Sequence, residues 1–315
     1  MTFHQRLHRL ITRAPLAPAT PMHGKTVMVT GCGPDSIGFA TAKILAQRGA
    51  QLVITTRKNS AASAADIARA AQVPAAQVQG VDLDLLDGAS VRQCAAEVQA
   101  LCPQLDVLIN NAGIHLDLLR EHKSPQRSSD GEEIHWRCNY LGTAHLTQQL
   151  LPLLLATAAK TGGARVVHVA SMLHRKGSNA ELFTPPPKHD SWVSYGNSKL
   201  ALLHHAFELQ RLYAAASLQA YALHPGAVFT QVANKGLAGH AWIGAIRRRF
   251  AWLESLFLLT PEEGAQTSVY CATAPQLQGG RYFDACGVQS HHRDADDAAV
   301  GARLYTQTQT RLLGL

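Results

Sequence analysis

The chain has 315 residues, 46% hydrophobic and 16% charged, enough for a sizeable core in one large α/β domain or two small ones. Its net charge of +7 and pI of about 9.2 suit an anionic partner. No basic stripe interleaved with aromatics points to nucleic acid, and a phosphorylated cofactor, an acidic substrate or simple solubility accounts for the charge equally well. The six cysteines, Cys32, Cys94, Cys102, Cys138, Cys271 and Cys286, form no C-x-x-C pair. That pattern argues against a disulfide framework or a zinc site and for a reducing cytoplasm. His204-His205 and His291-His292 are adjacent residues that point in different directions, and no metal site is expected.

No run reaches the roughly 18 to 20 apolar residues of a membrane span. Residues 1–22 carry Arg6, Arg9 and Arg13, then Pro15, Pro18 and Pro21, without the apolar core of a secretory signal. They are expected as a loose, flexible arm on a single domain spanning 23–315.

From Lys25 to Thr30 the chain is β-prone. Gly31-Cys-Gly-Pro-Asp-Ser-Ile-Gly38 follows, then a helical pattern from Phe39 to Arg48 closed by Gly49, and a strand over Gln51 to Thr56. Strand, glycine-rich turn, helix and strand make a βαβ unit. A helix is expected over Ala61 to Ala71, a third strand over Val78 to Leu83, and an amphipathic helix over Ser90 to Leu101. Leu105 to Asn110 reads as a fourth strand that turns out through Asn111-Ala-Gly113. Glu132 to Ala158 reads as one long helix containing Pro152, and Ala164 to Ala170 as a fifth strand ending at Ser171. Then come a helix over Tyr195 to Ala216, a sixth strand over Leu218 to Leu223, a helix over Pro261 to Ala274 and a last strand over Gly279 to Phe283. Strand and helix alternate without a parting linker. The expected fold is α/β: a single doubly wound Rossmann parallel sheet of about seven strands, with helices on both faces.

In such a sheet, ligands bind at the carboxyl ends of the strands. Gly31, Gly33 and Gly38 follow the first strand, where glycine lets backbone approach a pyrophosphate and the next helix presents free N–H groups. Ser36 stands ready to cap that helix. Gly24-Lys25-Thr26 is no phosphate-binding loop of a nucleotide triphosphatase, because it precedes its strand and Ala19 replaces the required glycine. At the end of the second strand, readers of NAD place an acid, whereas readers of NADP use a cation against the 2′-phosphate. Thr56 holds the acidic position and Arg57-Lys58 follows, which favours NADP(H) over NAD(H). Tyr195 and Lys199 lie four apart, one helical turn from each other. An ammonium near a phenol lowers its pKa and makes it a proton donor to a carbonyl or acceptor from an alcohol.

Thr30-Gly31 with Ile37-Gly38, Asp82-Leu83, Asn110-Asn-Ala-Gly113, Asn139, Ser171, Tyr195-x-x-x-Lys199 and Pro225-Gly226, in this order, resemble the short-chain dehydrogenase/reductase family. The resemblance covers about Lys25 to Phe283. Within the family, Ser128 to Gly131, Asn139 to Gly142, Ser198 to Ala201 and His224 to Gly226 are similar to the retinol dehydrogenase and protochlorophyllide reductase branch. The resemblance implies Tyr195 as general acid or base, Lys199 lowering its pKa and binding the nicotinamide ribose, and Ser171 holding the substrate oxygen. It implies that Asn139 anchors a water in a proton relay. It also implies a cofactor cradle of Gly31, Gly33, Ser36, Ile37, Gly38, Arg57, Asp82 and Leu83 at the adenine, Asn110, Ala112 and Gly113 near the ribose, and Pro225, Gly226, Val228 and Thr230 beside the carboxamide. Dimers or tetramers are implied as well.

Two features depart from the family. Its turn reads T-G-x-x-x-G-I-G, whereas this chain has one residue more and Ser36 at the middle glycine, so the turn is re-routed, with Gly33 expected to take the flexible role. The 23 residues between Ser171 and Tyr195, with Pro185-Pro-Pro187, are expected to overhang the site. Residues 230–259, with Trp242, Ile243, Ile246, Phe250, Trp252, Leu253, Leu256 and Phe257, are expected as a substrate lid or as a helix pair on the core. Arg247 to Arg249 within them offer contact to an acidic group or to a membrane surface.

The function expected is an NADP(H)-dependent oxidoreductase interconverting a carbonyl and an alcohol on a small hydrophobic molecule. A non-catalytic NADP-binding sensor or scaffold, and a reductase of an activated C=C bond, are the alternatives.

Overall fold

The protein is seen in a computed structural model that describes residues 8, 12, 14–119, 121–184, 188–228 and 258–315. Thr230, the tripeptide Pro185 to Pro187, Arg247 to Arg249 and nearly all of the expected lid lie outside the described residues.

The strands are β1 Thr26–Val29, β2 Gln51–Thr56, β3 Val78–Asp82, β4 Val107–Asn110, β5 Ala164–Val169, β6 Leu218–Leu223, β7 Arg281–Asp284 and β8 Gly287–Val288. They form one sheet in the order β3-β2-β1-β4-β5-β6-β7-β8, parallel through β7, with the two-residue β8 antiparallel at the edge. Strand β1 is wholly apolar or β-branched and buried throughout, as a central parallel strand covered on both faces must be. Its side chains alternate between layers. Met28 joins the core containing Val53, Leu108, Leu146 and Leu200, while Val27 and Val29 join that containing Ile54, Ile109, Leu45 and Val269.

The second layer holds α1 Ile37–Gln47, α2 Ser60–Ala71 and, later in the chain, Pro261–Thr273. The first holds α3 Gly88–Leu101, α4 Thr143–Thr161, α5 Ser191–Tyr213 and the C-terminal helix Ala298–Leu312. In chain order Pro261–Thr273 is α6 and Ala298–Leu312 is α7. Helix α7 and strand β8 are additions to the sequence reading. The stripe Leu304, Thr308 and Leu312 beneath the Asp297 cap is narrow, and a hydroxyl takes one of its three places.

Two helices begin differently from expectation. The stretch read as one helix from Glu132 opens as a π-helical segment, Trp136–Gly142, before α4. Such wide turns cluster at functional sites. Helix α5 starts a turn earlier than expected, at Ser191, because the Asp190 carboxylate accepts from the backbone of Trp192 and Val193.

The segment before β1, expected to be loose, is held to the domain at the described His8, which meets Glu263 at 2.7 Å, and again at Ala17 and Met22. Ala17 N–H donates to Gln266, Arg48 donates to the Ala17 carbonyl, and Ala17 and Met22 are buried. Burial of these two apolar side chains and the paired backbone groups holds it down. Among the described residues no helix is long and apolar enough to cross a membrane.

Candidate active site

The order of the strands reverses between β1 and β4, which opens a crevice at their carboxyl ends. The turn after β1 forms one wall. Gly31 is left-handed at φ +74°, and a Cβ there would stand 2.9 Å from Ala112 Cα, so the β1 and β4 turns touch only through glycine. A Cβ on Gly38 would fall 2.5 Å from the Gly31 carbonyl oxygen. Ser36 caps α1 as expected, accepting from Phe39 N–H at 3.1 Å and donating to the Gly33 carbonyl at 2.6 Å. The flexible role does not fall to Gly33. The left-handed residues of the re-routed turn are Gly31 and Asp35, the latter at φ 56°, and they absorb the extra residue. Gly33 instead leaves open space, since a Cβ there would meet nothing within 4 Å.

The turn leans on β2, Cys32 N–H donating to the Thr55 carbonyl at 2.8 Å. Arg57 and Lys58 follow at that strand's end, exposed and, among the described residues, in no ion pair. At the end of β3, Asp82 accepts from Ser60 N–H at 2.9 Å, and the hydrogen bonds from Ser60 hold its carboxyl below the ordinary range. Leu83 is buried beside it.

At the end of β4 the two asparagines divide. Asn110 turns into the interior, where its Nδ2 donates to Thr147 at 3.0 Å and lies 3.2 Å from His168 Nδ1. Asn111, which sequence reading did not single out, donates to the Thr30 carbonyl at 2.8 Å and ties the β1 and β4 turns together. A Cβ on Gly113 would lie 3.1 Å from Asn139 Oδ1 and 3.4 Å from Lys199 Nζ.

Asn139, in the π-helical segment, is fully buried. Its Oδ1 accepts from Ile114 N–H at 2.8 Å, and its Nδ2 donates to the Ile114 carbonyl at 2.9 Å and to Ser198 Oγ at 3.1 Å. The side chain thus pins the Gly113–Ile114 turn to α5.

Ser171 follows β5 and its hydroxyl accepts from Leu173 N–H at 3.2 Å, while Tyr195 is half-buried on the second turn of α5. Burial pushes the phenol up to about 12, against a downward pull from the nearby Ser171 hydroxyl. Lys199 is buried and donates to the Val169 carbonyl at 2.9 Å, and burial brings its ammonium down to about 8. Its Nζ lies 5.5 Å from the Tyr195 ring centroid. The ammonium is turned to a carbonyl, and burial decides the direction in which the phenol shifts.

Gly196 beside Tyr195 has a packing reason: a Cβ would sit 2.9 Å from the Leu173 carbonyl oxygen. That contact brings the segment after Ser171 against α5. Ser178 N–H donates to Asn197, and Asn179 N–H donates to Asp294, so the described part of this segment is tied to α5 and to the residues before α7. Pro225, Gly226 and Val228 follow β6, where Val228 bridges to Leu259.

The pieces fit a nicotinamide dinucleotide. An open backbone face at Gly33, a capped helix behind it and exposed cations at the end of β2 suit the phosphates, and the crevice leads from there to Ser171, Tyr195 and Lys199.

The family model described as short chain dehydrogenase matches residues 25–239. Retinol dehydrogenase 14 of Homo sapiens is 34% identical over 301 residues, covering 90% of this chain and 85% of its own length. Polyprenol dehydrogenase of Mus musculus is 36% identical over 278 residues, covering 86% of this chain and 78% of its own. Among solved structures, the Pseudomonas aeruginosa RhlG/NADP active-site complex superposes with a TM-score of 0.65 at 24% identity, over 85% of this chain and 97% of that one. At that identity the likeness is one of fold.

Proposed function

We propose that this chain, which belongs to the short chain dehydrogenase family and is an oxidoreductase, interconverts a carbonyl and an alcohol on an apolar molecule using NADP(H). The observation that carries the reading is the convergence of Ser171 at the end of β5 with Tyr195 and, one helical turn away, Lys199, while Asn139 braces the turn between them and the dinucleotide wall. The cofactor supplies the hydride in reduction and takes it up in oxidation. Ser171 Oγ and Tyr195 Oη together hold the substrate oxygen. Tyr195 donates its proton to that oxygen in reduction and recovers it in oxidation. Lys199, at about 8, exchanges protons close to neutral pH and replaces the one Tyr195 gives up. Arg57 and Lys58 support NADP over NAD, since exposed cations in place of an acid at the end of β2 suit a 2′-phosphate.

The relatives named for retinol and polyprenol support long apolar alcohols and the matching aldehydes as substrates. The test is NADPH oxidation against panels of aldehydes, ketones and quinones that include such long apolar members. Tyr195→Phe is expected to abolish turnover and leave cofactor binding intact. Full activity in that variant refutes the mechanism, and tight NADPH binding without turnover of any carbonyl refutes the enzymatic reading.

A further inference from the structure

His115 lies flat against the phenol of Tyr195, ring centroids 4.1 Å apart and planes 12° from parallel. Trp192 stands edge-on to the imidazole at 4.9 Å and His135 edge-on at 5.8 Å. The imidazole is 8% exposed, and among the described residues its Nε2 has no hydrogen-bond partner. His135 does not provide one. Its Nε2 accepts from Leu116 N–H at 2.9 Å, which leaves Nδ1 to donate to Glu133 at 2.7 Å. Burial above all, with His135 and Lys199 adding to it, brings His115 down to about 3, so it stands uncharged on the phenol at neutral pH.

A buried nitrogen without a partner disfavours this arrangement. Stacking provides the opposing gain, because an uncharged ring over the phenol face excludes water and fixes the plane of the phenol. We propose that His115 is a positioning residue for Tyr195, holding the plane of the phenol and keeping water from that face of the ring. The proposal rests on Tyr195 as the acid–base group. Among the described residues, the titratable groups facing Tyr195 are His115 and His135, from the segment between β4 and the π-helical turn, and Lys199 on α5. Glu133 is engaged by His135. A dry face favours the protonated phenol, so loss of the ring moves Tyr195 back toward an ordinary tyrosine.

The test is the pH dependence of kcat/KM for alcohol oxidation, with kcat and KM for carbonyl reduction at neutral pH, in H115A, H115F and H115L. H115A is expected to move the rising limb of the oxidation profile down by about one pH unit. It is also expected to lower kcat for reduction about tenfold with KM little changed, as a loosened catalytic group does. H115F, which keeps a flat ring, is expected to restore both. H115L, of similar bulk without the ring, is expected to follow H115A, and carries the same test should H115A not fold. A parental profile in H115A or H115L overturns the proposal, and so does a shift in H115F as large as that in H115A. Y195F separates the two readings. Turnover in Y195F defeats the acid–base role itself, whereas an inactive Y195F with silent His115 variants defeats only this inference.

Discussion

Acid should unfold this protein through its buried histidines. His115, His145, His174, His204 and His205 are each at most 8% exposed. Burial brings His115 down to about 3 and the other four to about 4. In the unfolded chain a histidine titrates near 6.5. Between the two values the unfolded chain binds more protons, so stability rises with pH. The contribution is complete above about pH 6.5 and is lost as pH falls toward the folded values. At pH 5.5 each such histidine favours the unfolded chain by about 1.4 kcal/mol, and at pH 5 by about 2 kcal/mol. Five together reach about 7 kcal/mol at pH 5.5, comparable with the whole stability of a typical domain, about 5 to 15 kcal/mol. His168, fully buried and also lowered, acts in the same direction. Asp82, Asp130 and Glu263, whose carboxyls are held below the ordinary range, act in the same direction at lower pH, because there too the unfolded chain binds more protons. Urea unfolding followed by far-UV circular dichroism from pH 7.5 to 5 is the assay. The urea midpoint should fall steeply below pH 6.5 and approach zero near pH 5. A drop in unfolding free energy of less than about 2 kcal/mol between pH 7.5 and 5.5 would refute the reasoning.

Arg57→Asp puts a carboxylate where the exposed cation stands, and it is expected to move the ratio of kcat/KM values toward NADH by at least tenfold, an unchanged ratio removing Arg57 as the phosphate reader. Gly38→Ala places a methyl 2.5 Å from the Gly31 carbonyl oxygen and 2.6 Å from Asn111 Nδ2. It should weaken NADPH binding at least tenfold, read by cofactor fluorescence, while far-UV circular dichroism reports a folded sheet.

Much of the fold was legible because parallel strands buried on both faces must be written as short apolar runs, as in Lys25 to Thr30 and Gln51 to Thr56. The π-helical turn was not, since Trp136–Gly142 has the composition of ordinary helix and its widening depends on what Asn139 meets across the site. Helix α7 also escaped, because its buried stripe makes sense only against α5. In the site, the residue types and their order were legible, but not their hydrogen bonds. Asn110 and Asn139 stood out from their motifs, but bonds to Thr147, Ile114 and Ser198, distant in sequence, could not be read from them. His115 carried no signal, because nothing in the spacing of a lone histidine tells that it will lie on a tyrosine 80 positions later.

By itself the sequence determined the alternation of strands and helices, the glycine-rich turn after β1, the cap at Ser36 and the one-turn spacing of Tyr195 and Lys199. All of these are local, fixed by side-chain periodicity and backbone freedom within a few residues. Only the tertiary structure decided which way each polar group faces and how it ionises. Lys199 turns to the Val169 carbonyl, Tyr195 is raised and not lowered, and His115 closes over it. Those outcomes depend on desolvation and on partners brought together by the fold, and no window of sequence contains them.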